Sequence, residues 1–172
     1  MDDGREGLDR GIRASVAEVH VHRALLRSDP SAVYCGGNTW YRDHEVFKGE
    51  HWIETKAGWF EQSGLIGFSP VNWLNARKVA RWISAVAIVP LRPGVLHIRL
   101  SDSGFTVDLP RDLPWYLVPA TELFRVVIEQ GPCRQAAPIG VVEPFVVDRS
   151  NPLTEQRLRD VLRSGASGAS AA

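Results

Sequence analysis

The residues around one short turn constrain the fold of this chain more than any other feature. Residues 40–47 and 51–56 alternate between apolar and polar side chains on either side of a Gly-containing turn, a pattern typical of a β-hairpin. The turn is either Lys48-Gly49 or Gly49-Glu50. Both turns have an even number of residues, so directly opposed residues have numbers whose sum is odd.

This parity predicts one acidic face on the hairpin, which carries Asp43, Glu45, Glu54 and Lys56. With the first turn, Asp43 lies opposite Glu54, and with the second turn Glu45 takes that place. Either register opposes two carboxylates, which is unfavourable unless a positive charge lies between them. Mg²⁺ (or Mn²⁺) is the best candidate, because hard cations bind carboxylate oxygens and keep several waters. We therefore expect a divalent metal held by Asp43 and Glu54, with Glu45 assisting.

Lys56 adds chemistry to this face. The chain has 17 Arg and only 3 Lys, yet the second position after Glu54 is a Lys. Its ammonium group, on the same face as the carboxylates, is suited to hold the attacking water or to stabilise charge on a phosphate. The pattern therefore fits hydrolysis of a phosphodiester.

The other segments predict a mixed β-sheet flanked by helices. Periodicity and turn residues predict, in order, a helix over 8–26, a buried strand at 32–35, a Gly-rich loop at 57–68, a helix over 70–85 and a strand over 86–91. They then predict a hairpin of 96–100 and 105–109 about the turn at 101–104, a helix over 120–129, a strand over 141–147 and a helix over 153–163. Glu18 lies beside the apolar stripe of the first helix.

The order of these features resembles the PD-(D/E)XK nuclease superfamily, most closely its small Holliday-junction-resolvase-like members. The similarity covers approximately residues 14–90 and implies a restriction-endonuclease-like αβββαβ core with C-terminal β and α additions. It implies that Asp43 and Glu54 bind the metal, that Lys56 is the catalytic lysine, and that Glu18 is the helix acid that completes the site. The chain departs from the pattern at Arg42, where the family has proline, and at Glu45, which is an additional acid.

Two groups of residues are candidates for DNA contact. Arg77, Lys78 and Arg81 form a small basic ridge on the predicted helix over 70–85, which either grips phosphates or is an ordinary solvated face. Trp59 lies in the Gly-rich loop, where an exposed indole stacks on unpaired bases. Aromatic residues in strands are more often part of the core.

Composition sets the remaining limits. Twenty basic and twenty acidic residues cancel, so any polyanion site is a local patch. The hydrophobic content of 44% suits one domain, predicted over 1–163, with a flexible tail at 164–172. Two isolated cysteines and apolar runs too short to cross a bilayer predict a cytoplasmic protein with buried thiols and no membrane partner.

No Gly-x-Ser-x-Gly, GxxxxGK or GxGxxG motif occurs, and His20 and His22 point to different faces of a helix, which disfavours zinc.

The sequence therefore predicts a Mg²⁺-dependent endonuclease-like protein that hydrolyses DNA, with a homodimer expected because pairing enlarges the DNA contact area. The alternative is a non-enzymatic interaction protein, such as a partner-binding or toxin-neutralising domain. In that case the aromatic and acidic hairpin is a docking surface, since aromatic residues are enriched at interface hot spots. Convergence of Asp43, Glu54 and Lys56 in a concave, basic-rimmed cleft favours the nuclease, and a spread of the same residues on a flat surface favours the binding protein.

Overall fold

The computed structural model describes residues 3–36, 42–71, 83–91, 96–101, 104–108 and 112–166 of the chain. Within these ranges the protein is mixed α/β, as the order of elements predicts. Its helices are α1 (Asp3–Ser28), α2 (Ala120–Val126), α3 (Ile139–Val142) and α4 (Glu155–Ala166), with a 3₁₀ turn at Glu143–Phe145. Its strands, in chain order, are β1 (Val33–Tyr34), β2 (His44–Val46), β3 (His51–Phe60), β4 (Leu65–Phe68), β5 (Ile83–Pro90), β6 (His97–Ser101), β7 (Gly104–Asp108), β8 (Trp115–Pro119), β9 (Ile128–Glu129), β10 (Gln135–Pro138) and β11 (Val146–Val147).

The described strands form one mixed sheet and one separate hairpin. The sheet runs in the order β11-β8-β5-β3-β4-β10-β9, and β2 joins it by pairing with β3 while β1 pairs with β2. β3 runs parallel to β5, and the other pairs are antiparallel. β6 pairs with β7 up to Ser101 opposite Gly104, which confirms the predicted hairpin; residues 102–103 of its predicted turn lie outside the described residues.

The central strand β5 is buried on both faces, and each face belongs to a different core. Ala85, Ala87 and Val89 lie in a cluster with the apolar residues of α1 and α4. Val86 and Ile88 lie in a second cluster with residues of β4 and α2. A strand covered on both sides reads as a continuous apolar run, which is why residues 86–91 were predictable.

The predicted first helix is confirmed and is longer than expected. α1 spans Asp3–Ser28 and ends where Asp29-Pro30 begins. Val16, Val21 and Leu25 are buried against the sheet. No described helix combines the length and the apolar character needed to cross a bilayer.

Several predicted elements are wrong at their ends. The helix predicted over 70–85 falls mostly outside the described residues, but 83–85 belong to β5. The loop predicted at 57–68 contains β4 and the end of β3. The helix predicted over 120–129 ends at Val126, and 128–129 form β9.

The strand predicted over 141–147 is mostly helical. Residues 139–142 form α3, 143–145 form the 3₁₀ turn, and only Val146–Val147 is strand. Pro138 and Pro144 explain this result, since each stands at the beginning of a helical segment, where a missing backbone N–H and a fixed φ are favourable.

Burial also differs from expectation at three places. β1 was expected to be buried, yet Val33 is 51% and Tyr34 is 40% exposed. Cys35 and Cys133 form no disulfide, Cys35 is only half-buried, and Cys133 is exposed rather than buried. The predicted tail begins too early, because residues 164–166 belong to α4 and Gly165 is buried; residues 167–172 lie outside the described ranges.

Candidate active site

The hairpin of β2 and β3 has the predicted parity. His44 lies opposite Ile53, Glu45 opposite Trp52, and Val46 opposite His51, so each pair has an odd sum. This register corresponds to the turn centred on Lys48-Gly49. The same register places Asp43, one residue before β2, across from Glu54.

Asp43 lies where β2 and β3 diverge. Its backbone N–H donates to the Ile53 carbonyl at 3.1 Å, and its own carbonyl accepts the Cys35 N–H at 2.7 Å. Its carboxylate Oδ2 accepts the Thr55 N–H at 2.6 Å. The Asp43 side chain therefore takes the place that the next backbone carbonyl of β2 would hold in a longer ladder.

The fork, where β2 and β3 separate, arises because β3 pairs with β2 at its start and with β4 at its end. Residues 51–53 pair with β2, and residues 58–60 pair with β4 on the same side. Among the described residues, 54–57 have no strand ladder on that side, although β5 pairs with them on the other. Glu54 and Lys56 thus stand beside an opening in the sheet, and Asp43 closes part of it.

Glu54 and Lys56 form a close ion pair on one side of β3. The distance from Lys56 Nζ to Glu54 Oε1 is 2.6 Å, and the side chains are only 16% and 9% exposed. In the parallel register Glu54 lies beside Val86 and Lys56 beside Ile88, both of them buried. The pair is therefore bordered by apolar strand and shielded from water, where charges interact more strongly than at a surface.

The pKa of Asp43 is shifted by burial and by the charged groups around it. Burial, followed by the charge of Glu54, raises the pKa of Asp43 from its ordinary 3.8 to about 8. Glu18 raises this pKa further, while the Thr55 N–H and Lys56 lower it. Glu18 of α1 and Glu54 and Lys56 of β3 therefore all act on the Asp43 carboxyl.

Glu18 reaches this region from α1. It is half-buried, and its Oε2 accepts a hydrogen bond from the Tyr34 hydroxyl. Burial, this hydrogen bond, and the negative charges of Glu18 and Asp43 raise the pKa of Tyr34. Glu18 is thus held by a residue of β1 and lies near enough to disfavour the charge on Asp43.

The side chains of His22, Tyr34 and His44 form a cluster of aromatic rings next to this site. The His22 and His44 rings are stacked with centroids 5.5 Å apart, and the Tyr34 ring lies 5.6 Å from His22 and 5.7 Å from His44. His44 is fully buried, and its Nε2 is 3.0 Å from the Thr55 hydroxyl. Burial and the neighbouring His22 lower its pKa to about 3, so the ring is neutral at physiological pH.

Sequence reasoning did not connect these rings to the site. The hairpin parity does put His44 and Thr55 on one face, opposite to the acids, and that signal was available. No sequence pattern predicts the contact of Tyr34 with the site, because its hydrogen bond to Glu18 depends on how β1 lies beside α1.

Glu45 is directed elsewhere. It pairs with Arg42, whose Nε is 2.7 Å from Glu45 Oε1, and the Arg42 guanidinium lies 4.7 Å from the centre of the Trp52 ring. The position that a Cβ on Gly49 would take is 3.3 Å from Glu45 Oε2, so this carboxylate extends toward the turn. Its predicted place among the metal ligands receives no support from this geometry.

Of the residues predicted to contact DNA, the structure describes Trp59. Trp59 lies in β3 opposite Gly67, not in a loop, and its ring packs so closely that a Cβ on Gly67 would be 2.4 Å away. The Arg134 guanidinium covers the ring at 5.2 Å and is also paired with Glu61. Trp59 is therefore engaged within the fold. Arg77, Lys78 and Arg81 lie outside the described residues.

Asp43 and Glu54 offer carboxylate oxygens, the type of donor that hard cations prefer. Among the described residues no group of three or more His, Cys, Asp or Glu side chains is arranged to hold a metal ion. Mg²⁺ commonly binds through one or two carboxylates and completes its shell with water. Asp43 and Glu54 meet that minimum, and the charge conflict around Asp43 is what a cation would relieve.

Comparisons with known proteins add no assignment. The chain matches no protein-family model, and no curated protein and no solved structure shows significant similarity to it.

Proposed function

We propose that this protein is a Mg²⁺- or Mn²⁺-dependent endonuclease-like enzyme that hydrolyses DNA phosphodiester bonds. The observation that carries the proposal is the juxtaposition of Asp43, Glu54 and Lys56 at the fork between β2 and β3. Asp43 and Glu54 come from opposed positions of the hairpin, and Lys56 Nζ lies 2.6 Å from Glu54. A solvated strand face would show these side chains exposed, whereas here all three are largely buried.

Each residue has a distinct part in the proposed reaction. Asp43 and Glu54 bind the cation through their carboxylate oxygens, and Glu18 supports them from α1. The bound cation would supply Lewis-acid activation of the phosphate and of a water. Lys56 orients the attacking water or neutralises charge that develops on the phosphate. The resemblance to the PD-(D/E)XK superfamily assigns the same roles, and it remains part of the proposal.

The test is a cleavage assay with matched variants. Purified protein is incubated with supercoiled plasmid and with branched DNA in Mg²⁺ or Mn²⁺, beside Asp43→Asn, Glu54→Gln and Lys56→Met. We expect cleavage by the parent and a loss of about 100-fold or more in each variant. Glu50→Gln is the control, since Glu50 is an exposed acid in the turn of the same hairpin. Absence of cleavage by the parent, or equal cleavage by all proteins, would reject the enzyme.

The substrate and assembly belong to the same proposal. DNA binding would depend on local basic residues such as Arg77, Lys78 and Arg81, because the net charge is zero. A homodimer would enlarge the contact area with DNA. Cys35 and Cys133 form no disulfide, which suits a reducing compartment, so we propose a cytoplasmic setting.

One observation favours the non-enzymatic alternative. Val19 and Leu26 of α1 are 41% and 40% exposed, and Val33 and Tyr34 of β1 are also exposed. Exposed apolar side chains near one another are a feature of protein-binding surfaces. If the cleavage assay is negative, a surface variant such as Val19→Ser with Leu26→Ser should reduce binding to a partner that the parent captures, and Glu54→Gln should not.

A further inference from the structure

The acidic site already contains a cation of its own. Lys56 Nζ is 2.6 Å from Glu54 Oε1, and both side chains are almost completely withdrawn from solvent. Glu54 lies across the hairpin from Asp43, and a divalent ion bound to Glu54 would have to share this carboxylate with the ammonium. The lysine therefore offsets the negative charge that the metal would otherwise neutralise.

The two cations compete for the same carboxylate. A Mg²⁺ ion coordinates a carboxylate oxygen at about 2.1 Å. An ammonium still paired with that carboxylate would then lie within a few ångströms of the metal, in a partly dry environment where like charges repel strongly. The buried neighbours of the pair, Val86 and Ile88, supply no alternative charge to compensate.

We propose that Lys56 is a built-in counter-ion that divalent metal must displace from Glu54, so that metal binding releases the ammonium for its catalytic position. The inference rests on the proposed function, because it assigns the regulation of the same site. Lys56 lowers the affinity for metal, and the site changes from a lysine-neutralised state to a metal-loaded state.

The identity of the side chain fits this role. A lysine presents one compact charge on a flexible stem and can leave a carboxylate without breaking a planar pair. An arginine would bind Glu54 through two parallel hydrogen bonds and would be harder to displace. The chain uses Arg at 17 of its 20 basic positions, yet Lys stands here. The affinity for metal is therefore expected to be highest in Lys56→Met, lower in the parent and lowest in Lys56→Arg.

The experiment measures binding of Mn²⁺ alone to the full-length protein by calorimetry. Lys56→Met should bind Mn²⁺ about ten-fold more tightly than the parent, or better, because a like charge has been removed. Lys56→Arg should bind more weakly than the parent. Lys48→Met is the matched control, since Lys48 is an exposed lysine in the turn of the same hairpin, and its affinity should equal that of the parent. Circular dichroism and the Mn²⁺-induced rise in Tm verify folding and give a second measure of affinity.

The outcomes separate this inference from the proposed function. If the parent binds Mn²⁺ and cleaves DNA but Lys56→Met binds no more tightly, the displacement idea is overturned and the enzyme stands. If the parent does not bind and Lys56→Met does, displacement is supported and the metal-dependent activity of the parent is rejected. If neither binds, both proposals are rejected.

Discussion

At the scale of single residues, Asp43 determines how the site responds to pH. Its pKa of about 8 means that the folded protein holds a proton on this carboxyl at neutral pH. The same carboxyl in the unfolded chain titrates near 3.8. Between these values the folded state binds one more proton than the unfolded state, so its stability falls as pH rises.

We predict that this loss is measurable between pH 6.5 and 8, with the metal chelated. Burial lowers the pKa of His20, His22 and His44 below the ordinary 6.5 in the folded state, so these residues give a slope of opposite sign at the lower end of the window, equally in the parent and in Asp43→Asn. The free energy of unfolding of the parent should therefore fall, relative to that of Asp43→Asn, by up to about 1.4 kcal/mol per pH unit. Urea titrations of the parent and of Asp43→Asn give the comparison. Equal slopes in the two proteins would contradict the prediction.

Mg²⁺ provides an independent control for the same group. A metal ligand must be deprotonated, so saturating Mg²⁺ should bring the slope of the parent to that of Asp43→Asn and leave the variant unchanged.

Loop parity explains how much of this site was predictable at residue scale. The alternation of a hairpin places Asp43, Glu54 and Lys56 on one side from sequence alone. It cannot show that Glu45 pairs with Arg42, because both residues are polar and near in sequence to several partners. It also cannot show that the Thr55 N–H binds Asp43, since this depends on where β2 leaves β3.

At the scale of elements, the turn between β2 and β3 is stabilised by a residue at the end of α1. Phe47 and Lys48 have φ values of 51° and 57°, a left-handed conformation that is unfavourable for residues other than glycine. Asp29, just after α1, is buried and accepts hydrogen bonds from the Phe47 N–H and from the Ser31 N–H and hydroxyl. Burial alone would raise the pKa of Asp29, but these hydrogen bonds outweigh it and lower the pKa. The end of α1 therefore fixes the turn that sets the register of the site.

We predict that Asp29→Ala destabilises the protein by about 2 kcal/mol, because it leaves buried donors without their acceptor. Urea unfolding at neutral pH measures the change. Asp148→Ala is the matched control, since Asp148 accepts similar bonds from Ser150 and Asn151 but is at the surface. Its effect should be clearly smaller. An equal loss of unfolding free energy in the two variants would mean that the hydrogen bonds of Asp29 to the hairpin turn add no stability beyond that of a surface turn.

The elements differ in how well the sequence predicts them. α1 and the two tight hairpins follow from local periodicity and turn residues. β4, β9 and β10 do not, because they are short and their stability comes from pairing with one another and with β3. Gln135 of β10 illustrates this dependence, since its buried side chain accepts the N–H of Val71, which is 64 residues earlier.

At the scale of the whole molecule, the C-terminal helix closes directly onto the central sheet. α4 packs its buried face, including Leu158 and Leu162, into the same core as α1. At its end Gly165 lies so close to β5 that a Cβ would be 1.7 Å from the Ser84 carbonyl oxygen. Ser84 also meets His51 at the start of β3, with its hydroxyl 3.0 Å from His51 Nδ1. The end of α4 thus supports the strand that carries Glu54 and Lys56.

The same chemical change should therefore have opposite effects at two helical glycines. Gly165→Ala forces the end of α4 away from a backbone atom that cannot yield, and we expect a loss of about 1–3 kcal/mol of stability. Gly11→Ala, at an exposed position of α1 with nothing within 4 Å of the new Cβ, should stabilise the protein by about 0.5–1 kcal/mol, because alanine favours the helix and restricts the unfolded chain. Thermal unfolding of the two variants and the parent measures both signs. A neutral Gly165→Ala would show that α4 does not close on Ser84 in solution.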